Sequence, residues 1–365
     1  MTGTMAFPGL AGAPRLSDRA VGHDNNFNLM RMIAASGVLV SHAYPVSLGS
    51  GAAEPLQGLL QGTKLGTVCV YVFFVISGFF ITRSFDLRHD AAAFLRARAL
   101  RLFPALIVAT LVMVALGAAV TTAPAGSFLA AVPAFVLRTL TLFSIPLGLP
   151  GVFDDNPFPR VMNGSLWTLF YEVACYGTVL LAGLAGVLGR RWLTLPAAAL
   201  FLGFYAAAMT GGLHLRLERF ADLGLPFLIG ALMWVWRDRV ILSPWLAAAL
   251  WALAVVAWWT PAFLPVFVLA LAYTTTVAGF ARSGRLLAYN RLGDYSYGTY
   301  VYAFPVQQLL AGWGVTTPVL NMANAFVLTL ALAILSWRLV EKPAQDWGRR
   351  LDRQGRALGA GRGAA

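Results

Sequence analysis

Arg31 and His42, two ionisable residues inside one apolar run, are where this sequence could first do chemistry. Their spacing of eleven residues corresponds, at about 100° per residue, to within roughly 20° of three full helical turns. On a helix they project from one face, about 16 Å apart along the axis. A guanidinium binds phosphate through charge-assisted hydrogen bonds. A neutral imidazole near pH 7 can take a proton from a hydroxyl or itself accept an acyl group. The separation is comparable to the pantetheine arm of coenzyme A, so one stripe could hold an anionic head group at one depth and a base at another. The structural alternative is that Arg31 snorkels to the interface and His42 hydrogen-bonds a neighbouring helix.

Other residues join this pair by position. Glu172 opens a later run at the same outer end as His42; it could orient the imidazole or hold an acceptor hydroxyl, or it could simply complement the helix dipole. Arg98 and Arg101 are three apart and share a helical face. With Arg31 and Arg83 they could form a cytoplasmic-side anion site, with Glu341 ion-paired inside the cluster; topology determinants or lipid contacts explain the arginines equally well. Trp167, Tyr44, Tyr171 and Tyr300 could line an acceptor cleft or form an aromatic belt. Asp154 and Asp155 in the outer loop could bind a sugar, although solvated loop charge is the plainer reading.

The elements that must position these residues are membrane spans. Of 365 residues 59% are hydrophobic and only 12% charged, and the mean hydropathy is +0.71. The apolar residues come in runs of about 18–20, enough to cross a hydrocarbon core of roughly 30 Å. A net charge of +12 raises nucleic-acid binding, but the arginines sit in short loops between apolar runs, which is the pattern of cytoplasmic retention. Cys69 and Cys175 lie inside apolar runs and read as free thiols, not a disulfide framework. The four histidines are dispersed, so no metal site is expected. The first twenty residues lack a signal peptide's pattern, and the first span is expected to stay as an anchor.

Apolar runs cover about 27–46, 66–81, 102–120, 128–147, 165–188, 194–210, 220–236, 242–259, 262–280, 295–314 and 321–338. Placing the basic connections at Arg83–Arg101, Arg190–Arg191, Arg237–Arg239, Arg282–Arg291 and Arg349–Arg356 on one side requires an even number of crossings between each pair. Three runs separate Arg101 from Arg190. The run at 128–147 carries Arg138 in its middle, where an arginine costs at least about 2.5–3.5 kcal/mol, and is expected at the outer interface or re-entrant. The alternative is that it spans and Arg138 lines a cavity. The expectation is an all-α polytopic bundle of about ten spans with both termini cytoplasmic: a lead-in at 1–26, a membrane domain at 27–342 and a basic tail at 343–365.

Arg31 and His42, the run Val72–Phe79, the basic stretch Phe94–Pro104, the segment Ser165–Glu172, Ser296-Tyr297 and Glu341-Lys342-Pro343 follow one another in an order that resembles the acyltransferase-3 family of membrane acyltransferases. Arg31 through His42 matches its Arg-x10-His signature, and Val72-Phe73-Phe74-Val75-Ile76-Ser77-Gly78-Phe79 is similar to its second-span motif. Phe94 to Pro104 resembles the basic-loop motif, and Ser165-Leu166-Trp167-Thr168-Leu169-Phe170-Tyr171-Glu172 the S-L-W-S-L-x-x-E motif. Ser296-Tyr297 with Tyr300 and Pro305, then Glu341-Lys342-Pro343, complete a series in family order. Two positions depart from the pattern: Tyr71 stands where many members carry Asp, and Ala303 where many carry His, leaving His42 as the principal base candidate.

The resemblance implies an inner-membrane O-acyltransferase that moves an acyl group, expected to be acetyl, from cytoplasmic acyl-CoA to a hydroxyl of an exported or envelope polysaccharide or glycolipid. No permanently bound cofactor is expected; acyl-CoA is a co-substrate. His42 and Glu172 would serve the chemistry, Arg31, Arg83, Arg98 and Arg101 the donor, and Trp167, Tyr171, Tyr300 and Glu341 the acceptor or the supporting shell. A non-catalytic transporter or flippase is the competing class, although the two halves show no clear repeat.

Overall fold

The computed structural model describes residues 12–22, 24–281 and 284–362, without the side chains of 285 and 355–362. The start of the lead-in, Arg282, the Arg285 side chain and the end of the tail therefore lie outside the described residues. Twelve long helices make up the described chain: α1 (Phe27–Leu48), α2 (Leu65–Asp86), α3 (Ala91–Val120), α4 (Ala125–Thr141), α5 (Trp167–Leu184), α6 (Thr194–Met209), α7 (Leu215–Val235), α8 (Pro244–Val256), α9 (Phe263–Gly279), α10 (Ser296–Gly312), α11 (Pro318–Ser336) and α12 (Lys342–Arg362). Among the described residues there is no β-strand, only an isolated bridge between Arg15 and Ile241. The fold is all-α, and among the described residues five helices are long and apolar enough to cross a membrane: Leu65–Asp86, Ala91–Val120, Trp167–Leu184, Arg191–Met209 and Pro318–Gln354.

Three boundaries differ from the hydropathy reading, each for a local reason. α3 begins at Ala91, not at Leu102, because Asp90 accepts the Ala93 N–H at 2.9 Å and caps an Ala-, Leu- and Arg-rich turn of high helix propensity. Arg96, Arg98 and Arg101 are thus helical, on a 30-residue helix about 45 Å long, well beyond the hydrocarbon thickness. α4 stops at Thr141, where Leu142 turns left-handed at φ 61°. Arg138 therefore occupies the last turn and not the middle, and its guanidinium donates to the Ser144 carbonyl (3.0 Å) and hydroxyl (2.8 Å). The tail is helical: α12 follows α11 through a π turn at Trp337–Glu341, in which the Lys342 N–H reaches the Trp337 carbonyl. Pro343 has no N–H to give, and widening the ladder just before it accommodates the loss.

The chain divides into two compact units, Met1–Arg31 with Val70–His89 and Tyr171–Leu292, and Met32–Cys69 with Asp90–Phe170 and Gly293–Ala365. In the first, Phe27 packs edge-on against Phe80 and Phe280 at 5.1 and 5.0 Å between ring centroids. Gly279 leaves the space its ring fills. The Asn26 amide donates to the Ala278 and Ala281 carbonyls, tying the entry of α1 to the end of α9. Helices α2 and α7 cross backbone to backbone, since a Cβ on Gly78 would collide with the Phe227 carbonyl and one on Gly230 with the Val75 carbonyl. Small residues at such crossings let apolar helices gain van der Waals contact. Gly230→Leu is expected to destabilise the protein by about 1–3 kcal/mol or more, read as a lower melting midpoint in detergent; an unchanged midpoint would refute the close crossing.

The second unit is centred on α10, of whose 17 residues 14 are buried, the signature of a helix enclosed on all sides. Its two glutamines are fully buried and act as ties. Gln308 donates to the Phe158 and Val161 carbonyls (2.8 and 2.6 Å), and Gln307 to the Leu39 carbonyl of α1 (2.9 Å). Asn321 of α11 returns a bond to the Gln307 carbonyl at 3.0 Å. Buried amides persist only where such partners exist.

Candidate active site

His42 lies on α1 in the second unit, and the sequence around it explains how α1 is held there. Small residues let α1 approach α2: a Cβ on Gly37 would strike the Cys69 sulfur, and one on Gly66 would stand 2.8 Å from the Ser41 hydroxyl oxygen. Ser41, next to His42, donates to Glu54. The other oxygen of that carboxylate accepts the Leu65 N–H at 2.9 Å, the first turn of α2. Glu54 is only 6% exposed; a helix N-terminus and a hydroxyl make that burial tolerable. Gln307 grips α1 three residues before His42, and Phe304 of α10 meets the imidazole edge-on at 5.1 Å. The ring is partly buried, and its Nδ1 is buried with no hydrogen-bond partner.

The same unit holds Arg98, Arg101, Trp167, Tyr300 and Glu341. Arg98 packs over Phe94 at 5.9 Å. Arg101 donates to Asp294 at 2.7 Å, lies 3.8 Å from Glu341 and stacks on Tyr297 at 5.8 Å. Glu341, 1% exposed, also accepts the Ser336 hydroxyl at 3.1 Å. Arg101 thus joins α3, the start of α10 and the π turn. The buried Tyr300 hydroxyl donates to the Ser165 carbonyl at 2.8 Å and lies 2.6 Å from the Thr168 hydroxyl, which fixes the segment leading into α5. Asn163 completes that anchor, donating to Val301 and accepting from the Ser165 N–H. Trp167, by contrast, is 40% exposed.

Arg31, Arg83, Tyr171 and Glu172 belong to the first unit. The Arg31 guanidinium lies over Phe80 at 5.6 Å. Arg83 and Arg237 both stack on Trp234, at 5.6 and 4.0 Å, and the indole N–H donates to Asp86 at 2.9 Å. Glu172 accepts from the Tyr176 hydroxyl and from Ser77 at 3.5 Å. Tyr71, the residue out of pattern, is buried and donates to Asp222 of α7 at 2.5 Å. Among the described residues no group of His, Cys, Asp or Glu is arranged to hold a metal.

Sequence reasoning passed over Glu54, Asn163, Asp222, Gln307 and Asn321. Only Asp222 had a signal, an acid inside the 220–236 run, which is costly unless partnered. The amides carry no charge, and nothing local marks Glu54 in its Gly- and Pro-containing connection.

Residues 24–338 match the family model described as an acyltransferase domain. The chain belongs to the acyltransferase-3 family. The matched region includes every site residue named above except Glu341. An O-acetyl transferase of Shigella phage Sf6 is 28% identical over 338 residues, covering 87% of this chain and 95% of the relative. Nodulation protein 10 of Rhizobium leguminosarum bv. viciae is 28% identical over 363 residues, covering 90% and 95%. No solved structure gives a significant match. Family membership and the five long apolar helices make this a membrane acyltransferase.

Proposed function

We propose that this acyltransferase moves an acetyl group from cytoplasmic acetyl-CoA to a hydroxyl of an exported polysaccharide or glycolipid, in an inner-membrane bundle of about ten spans with both termini cytoplasmic. The phage relative's name supplies O-acetyl transfer; the acceptor class follows from the motif resemblance. The observation that carries the reading is the buried His42 Nδ1 without a partner. Buried polar atoms are nearly always satisfied, and an exception calls for an explanation such as a reacting group. As general base, His42 removes the acceptor's hydroxyl proton while the oxygen attacks the thioester carbonyl; the C–S bond breaks and the CoA thiolate regains a proton. As nucleophile, the imidazole takes the acyl group first and passes it to the hydroxyl. Both routes give CoA thiol and an ester.

Arg31, Arg83 and Arg98 are assigned to the donor's phosphates. Arg101 is bracketed by two carboxylates and is assigned to positioning α3. Glu172 and Trp167 are left to the acceptor side, with Tyr171 and Tyr300 supporting them.

Proteoliposomes supplied with acetyl-labelled CoA and the host's unacetylated surface polysaccharide test the proposal: label should appear as ester on the glycan. Uptake or flipping without ester formation would instead establish transport. Arg31→Ala is expected to raise the apparent KM for acetyl-CoA about ten- to a hundredfold, the value of one charge-assisted contact of about 1.5–3 kcal/mol, with the KM for glycan unchanged. An unaltered donor KM would remove Arg31 from the donor site.

A further inference from the structure

The first unit contains a partly open cavity of about 210 Å³ that the acyl-transfer reading does not use. Its walls come from α2, α5, α6 and α7 and are almost wholly apolar, with Phe201, Phe220, Phe227 and Leu228 prominent. Apolar cavities of about 150 Å³ already take up a benzene ring, so this one has room for a longer stretch of hydrocarbon. Thr178 and Ala197, both exposed, lie on its α5–α6 side. Thr82 of α2 also belongs to the lining and is fully buried.

One end of the cavity is basic. The connection between α5 and α6 contributes Val187 and Leu188 to the wall, α6 opens on it with Thr194, and the exposed Arg190 and Arg191 lie between them. Trp236 donates to the Thr194 hydroxyl at 3.2 Å. This brings the connection that follows α7, with Arg237 and Arg239, to the same rim. Asp238 accepts from Arg191 at 2.6 Å, which holds its carboxyl below the usual range, and Arg239 lies 3.8 Å from it. Arg237 lies 3.8 Å from Asp86. Four guanidiniums against two carboxylates leave the rim positive. An apolar slot ending in surplus arginines is complementary to an amphiphile with a hydrocarbon chain and an anionic head.

We propose that this cavity binds one hydrocarbon chain of a phosphate-headed membrane lipid, whose head group rests on the Arg190–Arg191 and Arg237–Arg239 rim. The site is independent of the acyl-transfer proposal, because occupancy is read without turnover.

Delipidated full-length protein would be titrated with dioleoyl phosphatidylglycerol or dioleoyl phosphatidylcholine and the retained lipid counted by native mass spectrometry. The wild type should hold one phosphatidylglycerol at least tenfold more tightly than phosphatidylcholine. Ala197→Trp, which puts an indole into the lining, should weaken both at least tenfold. Arg190→Gln combined with Arg191→Gln, on an exposed connection, should bring phosphatidylglycerol to the phosphatidylcholine level and leave the latter as it was. Equal retention of the two lipids by the wild type would overturn the anionic-head assignment. Lipid retention untouched by Ala197→Trp would show general adhesion to the apolar surface and overturn the cavity site.

Discussion

His42→Ala should lower acetyl transfer about 10²- to 10⁴-fold if the imidazole acts as general base, and abolish it if the imidazole carries the acyl group. Stability should hardly change. The Nδ1 makes no hydrogen bond that the substitution could break, and the edge-on packing against Phe304 at 5.1 Å is worth about 0.5–1.5 kcal/mol. A large effect on rate with a small effect on the melting midpoint is the pattern of a reacting group. A snorkelling or packing histidine would give the reverse. The two routes separate on rapid quenching with labelled acetyl-CoA and no acceptor, since only the nucleophilic route leaves label on wild-type protein that His42→Ala lacks. Glycan acetylated by His42→Ala at the wild-type rate would end the assignment.

How far the sequence could lead is visible in particular residues. Apolar run length is a local property, and it located eleven helical segments because hydrocarbon length is written directly into composition. Ends were less legible. By hydropathy the third run starts where charge stops, at Leu102, although Asp90 before three alanines is a helix-start pattern that places the basic turns inside α3. By its distance from the ends of an apolar run Arg138 is central, whereas the backbone turns at Leu142. The chemistry-bearing residues were found because ionisable groups stand out against a membrane sequence. The residues that hold them do not stand out. Gln307, Asn321 and Asn163 are amides inside apolar stretches, and their value comes from carbonyls far away in the chain. Glu54 reads as a loop acid until Ser41 and the first turn of α2 are seen to enclose it. Periodicity reveals which face a residue occupies but not what the opposing helix offers it.

Arg101 shows why that distinction matters, because charge alone cannot tell a ligand-binding arginine from a structural one. Its guanidinium lies between Asp294 and Glu341. Asp294 is further held by the Ser296 hydroxyl at 2.5 Å, while Glu341, 1% exposed, depends on Arg101 and Ser336. Arg101→Ala would leave a carboxylate buried without a counter-charge, a loss of about 3–5 kcal/mol when one partner of a buried pair is removed. Native stabilities are only about 5–15 kcal/mol, so the variant should melt roughly 5–10 °C lower and accumulate poorly. Arg101→Gln combined with Glu341→Gln removes both charges at once and should recover much of the lost stability, because the cost lies in the unpaired acid more than in the absent bond. Arg101→Lys should fall between, since a single ammonium lacks the planar fork that serves two acids. These melting measurements need no substrate. If Arg101→Ala instead keeps the wild-type midpoint and raises only the apparent KM for acetyl-CoA, the residue touches the donor, and the joint between α3, α10 and the π turn must rest on other contacts.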